Sequence, residues 1–114
     1  MIETKKIEDV TVISFPDLEK LNILVSQPIK KELTPYIEQP GAKLAINLEG
    51  IQYIDSSGFS VLPSILRASK EHSIHFKICN VNPEVMETIR LLKLDTILDI
   101  REDLNTCLES MKQM

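Results

Sequence analysis

Apolar positions along this chain change period several times, and each change marks an element. Val10-Thr11-Val12-Ile13-Ser14-Phe15 is β-branched and apolar and stops at Pro16. It predicts a strand, paired with the preceding stretch Glu3 to Ile7. Residues 16–25 carry no readable period. Ser26-Gln27-Pro28 reads as a helix start, with serine near the N-cap and proline in the first turn. Ile29, Leu33 and Ile37 then recur every fourth residue, one stripe of a helix. Pro35 lies inside that stripe, so the helix is expected to be short, kinked or late, and Pro40-Gly41 ends it. Lys43-Leu44-Ala45-Ile46-Asn47-Leu48 is almost continuously apolar, which suits a central strand buried on both faces. Glu49-Gly50 turns, and Ile51-Gln52-Tyr53-Ile54 leads into Asp55-Ser56-Ser57-Gly58. Leu62, Ile65, Leu66 and Ser69 keep a helical spacing that runs to about His72. Ile74 to Cys79 alternates with period two and predicts a strand with one apolar face. Asn82-Pro83 opens a helix, asparagine as cap and proline at the first helical position, with Val85, Ile89 and Leu92 as its buried stripe. Ile97-Leu98-Asp99-Ile100 predicts a short strand. Leu104, Cys107, Leu108 and Met111 fit an amphipathic last helix.

The order β-β-α-β-α-β-α-β-α is that of an α/β layer structure, a mostly parallel sheet with helices against it. A chain of 114 residues fits one domain, and 43% hydrophobic with 26% charged residues supplies an ordinary packed core. The net charge of −4, with thirteen Lys and Arg spread thinly, argues against nucleic-acid binding, which needs clustered cations. The polar start Met1-Ile2-Glu3-Thr4-Lys5-Lys6 is not followed by an apolar signal segment. No apolar run approaches the roughly 20 residues that span a bilayer. The expectation is a soluble, cytoplasmic protein with no membrane contact. Cys79 and Cys107 form no Cys-x-x-Cys pair, and His72 and His75 have no cysteine close in sequence, so neither a redox motif nor a metal site is expected. Both thiols are expected to be reduced and structural.

The Asp55-Ser56-Ser57-Gly58 stretch falls between a strand and a helix, where sites gather in such sheets. Helix capping alone accounts for its composition: Asp and Ser satisfy free N–H groups of a first turn, and glycine lets the chain bend. A phosphorylation site is a second, compatible use of the same geometry, since a helix N-terminus accommodates an anion. A serine hydrolase is excluded, because the nucleophile elbow needs Gly-x-Ser-x-Gly and no glycine precedes either serine by two residues. A nucleotide-binding enzyme lacks its Gly-rich loop: the three glycines stand at 41, 50 and 58. No catalytic residue and no cofactor are assigned. Pro63 would crowd the carbonyl of Phe59 in a helix regular from Ser57, so a kink near residues 59–63 or an irregular first turn is expected.

The stretch from Leu44 through Asn47-Leu48-Glu49-Gly50 and Asp55-Ser56-Ser57-Gly58 to Leu62 resembles the signature of STAS domains, the sulfate-transporter and anti-sigma-factor-antagonist family. Phe76-Lys77-Ile78-Cys79-Asn80-Val81-Asn82-Pro83 and Leu91-Leu92-Lys93-Leu94-Asp95 are similar to that family's last long strand, its proline-opened helix and the exit to its last strand. The resemblance is to the stand-alone antagonist branch. It implies one domain over residues 1–114: an α/β fold with a four- to five-stranded mixed, largely parallel sheet and about four helices mainly on one side. It implies a non-enzymatic switch in transcription control. The unphosphorylated form would bind an anti-sigma factor that is also a serine kinase of the histidine-kinase-like ATPase fold. Phosphorylation of the serine before the glycine, Ser57 (Ser56 being the alternate), would end that binding, and a PP2C-type phosphatase would reverse it. Asp55, Ser56, Gly58, Phe59 and Asn22 would then belong to the partner surface. The chain departs from the family pattern at Glu19-Lys20-Leu21-Asn22, which replaces a Gly-x-Leu-Asp-like element, at Gly58-Phe59-Ser60 in place of Gly-Leu-Gly, and at Pro63. The alternative within the family is a non-switching docking subunit, of a lipid-transport ATP-binding-cassette complex or a stress-sensing assembly. Such a subunit has no need of the acidic residue and two serines that this chain carries before Gly58.

Overall fold

The computed structural model describes residues 1–112. A five-stranded sheet has the order β1-β2-β4-β6-β7, formed by Glu3–Ile7, Val10–Ser14, Lys43–Asn47, His75–Cys79 and Ile100–Arg101. The β1–β2 pair is antiparallel, and every other pair in it is parallel. Two further strands, β3 (Lys20–Leu21) and β5 (Tyr53–Ile54), pair in parallel as a separate two-stranded sheet. The helices are α1 (Ile23–Ile37), α2 (Ser56–Phe59), α3 (Val61–His72), α4 (Pro83–Leu91) and α5 (Leu104–Lys112), with a 3-10 turn at Leu94–Thr96. The α/β class, the mixed and largely parallel five-stranded sheet, and helices lying mainly on one side are as the sequence implied.

Period-two alternation divides the core between the two faces of the sheet. Ile13, Leu44, Ile46 and Ile78 point to one face, where Ile29 and Leu33 of α1, Phe59 of α2, Leu62 and Ile65 of α3, and Val85 and Ile89 of α4 bury against them. Val10, Val12, Ala45 and Cys79 point to the other face, which α5 covers with Cys107 and Met111, half-buried Leu104, Leu108 and Ile7 packing at the edge. Continuous apolarity in β4 follows from this: Leu44, Ala45 and Ile46 are each almost wholly buried between the two layers.

Several sequence expectations need correction. Helix α1 begins at Ile23 rather than near Ser26, because Asn22 is the stronger start signal. Its side chain accepts from the Leu24 N–H at 3.0 Å, while its carbonyl accepts from Val25 and Ser26. Pro28 is therefore interior, and α1 runs unbroken through both Pro28 and Pro35. Each proline leaves the carbonyl four residues back without its helical partner, yet Pro28 and Leu24, like Pro35 and Lys31, lie on the exposed side, where water can serve that carbonyl. Strand β6 is not apolar on one face only. Lys77 is buried beneath the second layer, its ammonium 3.3 Å from Asp99, which also pairs with Arg101 at 2.7 Å. Leu92 is exposed, beyond the end of α4. The last strand starts at Ile100, since residues 94–96 form a 3-10 turn and Ile97 turns outward.

The irregularity expected at Pro63 is present. The helical path stops at Phe59 and resumes at Val61, which places Pro63 in the first turn of α3, where backbone N–H groups have no helical partner. The Asn82 cap and the proline at the start of α4 are also as expected, with Asn82 accepting from the Glu84 N–H at 2.7 Å. Both cysteines are free and fully buried. Among the described residues no helix is long and apolar enough to cross a membrane.

A serine turn at the meeting of two capped helices

The small β3–β5 sheet brings two strand-to-helix junctions side by side. Gln52 and Tyr53 donate backbone N–H groups to the Glu19 carbonyl at 2.7 and 3.3 Å, and Asp55 donates to the Leu21 carbonyl at 3.1 Å. Register pairs Lys20 with Tyr53 and Leu21 with Ile54. The next residue of one strand is Asn22 and of the other Asp55, and each caps the helix that follows. Asp55 Oδ1 accepts from the Gly58 N–H at 2.8 Å, and the Asp55 carbonyl accepts from the Phe59 N–H at 2.8 Å. The fold thus places Asn22 beside the Asp55-Ser56-Ser57-Gly58 turn, although the sequence separates them by more than thirty positions.

Within the turn the two serines differ in access. Ser56 is exposed and Ser57 half-buried. Neither hydroxyl takes part in the hydrogen bonds described for this turn. The Ser57 carbonyl is engaged, accepting from both the backbone N–H and the hydroxyl of Ser60. Gly58 and Phe59 are buried. Phe59 packs into the main core and presents no side chain to a partner, so its part is to anchor the turn rather than to make contact. Gly58 is needed for space: a Cβ there would stand 2.0 Å from the Leu21 carbonyl oxygen and 2.9 Å from Ile54 Cγ2. Only glycine lets α2 lie this close to β3 and β5.

Three apolar side chains around this site went unread in the sequence. Ile23 is 70% exposed, Leu24 78% and Tyr53 54%, and all three adjoin the Asn22 and Asp55 caps in the chain. Tyr53 was visible as the outward residue of an alternating pair with buried Ile54. Ile23 and Leu24 sat in the segment without a period and gave no signal. Leu24 and Val25 also line an open groove of about 450 Å³ with Asp17, Leu18, Glu19 and Asn22. Large exposed apolar side chains gathered at one edge mark an interaction surface better than scattered ones do. Away from this edge, His72 is half-buried and His75 exposed, and among the described residues no group of three His, Cys, Asp or Glu is placed to hold a metal ion.

The STAS domain model matches residues 1–107. The structure superposes on an anti-sigma-factor antagonist (STAS) domain protein from Planctomyces limnophilus with a TM-score of 0.87 at 26% identity, covering 97% of each chain. An anti-sigma factor antagonist from Mycobacterium paratuberculosis gives 0.83 at 17% identity, over 98% of this chain and 93% of that one. The anti-sigma factor antagonist SpoIIAA in its unphosphorylated form gives 0.80 at 16% identity, over 100% and 98%. No curated protein matches the sequence.

Proposed function

The chain belongs to the STAS domain family, and from that premise we propose that it is a protein-binding switch controlled by phosphorylation of Ser57. The reading rests on one observation: two serines sit on a single helical turn, capped by Asp55 and bordered by Asn22 and the exposed Ile23, Leu24 and Tyr53. A partner docking on this edge would bury apolar area and meet two neutral hydroxyls. A phosphate adds about −1.5 to −2 charges and three acceptor oxygens at that point. The Asp55 carboxylate two residues before it is an anion as well and already occupies the Gly58 N–H, so the turn's own cap repels the phosphate and cannot neutralise it. Burying such a charge without a counter-ion costs several kcal/mol, enough to end binding.

The partner supported by the likeness to anti-sigma factor antagonists is an anti-sigma factor that is also a serine kinase, opposed by a PP2C-type phosphatase, all in the cytoplasm. The chain itself performs no chemistry in this scheme, since it supplies the accepting hydroxyl and the docking edge. The test is phosphosite mapping of the protein from its native host, alongside Ser57→Ala and Ser56→Ala. Phosphate is expected on the wild type and on Ser56→Ala, and absent from Ser57→Ala. Ser57→Asp should weaken binding to the co-purifying partner by at least about tenfold, or 1.4 kcal/mol. Uptake by Ser57→Ala but not Ser56→Ala moves the site to Ser56. If neither serine is modified and Ser57→Asp binds normally, the protein is a docking subunit and the switch is wrong.

A further inference from the structure

The break between α2 and α3 is spanned by two serine side chains that the switch itself does not use. In a continuous helix the Ser57 carbonyl would take the Val61 N–H, but the path stops at Phe59 and resumes at Val61. Ser60 fills the gap twice. Its backbone N–H donates to the Ser57 carbonyl at 3.2 Å, and its hydroxyl donates to the same oxygen. Ser60 is anchored in turn by Ser64, whose N–H and hydroxyl both donate to the Ser60 carbonyl, at 3.3 and 2.9 Å. A glycine at residue 60, as in the Gly-Leu-Gly pattern from which this chain departs, would bring no hydroxyl.

These bonds give the serines of the turn different parts. Ser56 is exposed, while Ser57 and Ser60 are half-buried. The Ser60 proton is committed to the Ser57 carbonyl, and the Ser57 hydroxyl enters none of the hydrogen bonds described for the turn. Ahead of Ser57 the backbone is fixed by Asp55, which holds the Gly58 and Phe59 N–H groups, both at 2.8 Å. Behind it the peptide is fixed by Ser60. Ser57 is therefore a residue with a clamped backbone and an uncommitted hydroxyl.

We infer that Ser60 is a positioning residue for phosphoryl transfer to Ser57, an inference that rests on the switch reading above. In that transfer the Ser57 Oγ attacks the terminal phosphorus of a nucleoside triphosphate held by the partner kinase. A P–O bond to Ser57 forms, the bond from that phosphorus to the β-phosphate oxygen breaks, the nucleoside diphosphate leaves, and the Ser57 proton passes to a base on the kinase. Such a transfer depends on placing the attacking oxygen in line with the breaking bond. The Ser60 hydroxyl pins the Ser57 carbonyl, and with it the backbone from which the Ser57 side chain projects. Docking is the work of the exposed Ile23, Leu24 and Tyr53, to which half-buried Ser60 adds nothing. Loss of the hydroxyl slows the transfer and leaves docking as it was.

The test follows phosphate transfer from ATP to the purified protein, using the kinase activity enriched from the native host on the wild-type chain, with protein concentration varied. Ser60→Ala is expected to lower kcat about tenfold at unchanged KM. Ser60→Thr, which restores a hydroxyl, should recover most of the rate. Ser64→Ala removes the matching bond one turn further on, without touching Ser57, and should leave both constants at their wild-type values. The carbonyl carbon chemical shift of Ser57 should move in Ser60→Ala and return in Ser60→Thr. An unchanged kcat in Ser60→Ala, a change confined to KM, no recovery in Ser60→Thr, or an equal fall in Ser64→Ala would each overturn the inference and leave the switch standing. A wild type that takes no phosphate on Ser57 would overturn the switch and the inference with it.

Discussion

The junctions at Asn22 and Asp55 start from the same parts and end differently. Both follow a two-residue strand of the β3–β5 sheet, and both use an Asx side chain as cap. From Asn22 the helix runs fifteen residues through two prolines; from Asp55 it lasts four and stops ahead of one. Propensity does not separate them, because the first contains more proline. Position does. The residues four before Pro28 and Pro35 are exposed Leu24 and Lys31, whose carbonyls can turn to water. The residue four before Pro63 is Phe59, which is buried, and Pro63 has no N–H to offer its carbonyl. The regular path breaks at Ser60. All three prolines are exposed, but Pro28 and Pro35 follow exposed residues by four and stay inside one helix, whereas Pro63 follows buried Phe59 by four and stands just after a break, and the turn cut off by that break carries the two serines.

The comparison is broken most severely at Gly58. In Gly58→Ala the new methyl meets the Leu21 carbonyl, which is backbone and cannot rotate away, so the turn and the β3–β5 sheet must separate. The expected loss is at least about 3 kcal/mol, read by chemical denaturation. An alanine variant as stable as the wild type would mean that α2 does not lie against β3. Next in size are the caps. Asp55→Ala and Asn22→Ala should each cost about 1 kcal/mol, but with different consequences. Helix α1 keeps its buried Ile29 and Leu33 and should hold its shape. One-turn α2 should unwind, with amide exchange at Gly58 and Phe59 rising far more than at Val25 and Ser26. Equal changes at both sites would erase the distinction. The smallest effect is expected for Pro63→Ala, under about 1 kcal/mol in stability. Its restored N–H can bond the Phe59 carbonyl, so backbone chemical shifts of residues 57–63 should move toward continuous helix. Pro28→Ala should leave the shifts of α1 unbroken, as they already are. If Pro63→Ala leaves the break intact, another residue makes it.

Much of this was legible because the signals were local. The antiparallel Glu3–Ile7 partner of Val10–Ser14, the doubly buried β4 and the Asn82-Pro83 start all rest on neighbouring residues that agree with one another. The break at Pro63 was legible for the same reason. Residues 16–25 failed for a physical cause. Strand β3 is two residues long and exists only through Tyr53 and Ile54, far along the chain, while Ile23 and Leu24 turn outward and spoil the amphipathic period of α1. Pro28 then mimicked a helix start that Asn22 had already made. At the site, the serines and the acidic cap were readable, of the apolar rim only Tyr53 left a local signal, and Phe59, grouped with the partner surface, faces the core. Cys79 and Cys107 belong to one cluster built from two layers, which no one-dimensional pattern reports.

Strand order has a further consequence for how the molecule is made. From one edge of the main sheet to the other, the strands stand in the order of their synthesis, β1, β2, β4, β6 and β7. A chain emerging from its N-terminus can therefore lay each strand beside one already in place, with α1, α3 and α4 covering one face as the sheet widens. The other face has no such running cover. Val10, Val12, Ala45 and Cys79 stay open to water until α5, the last of these elements to be translated, folds across them. A nascent chain paused before residue 104 would therefore hold its serine edge formed over a back still bare and adhesive.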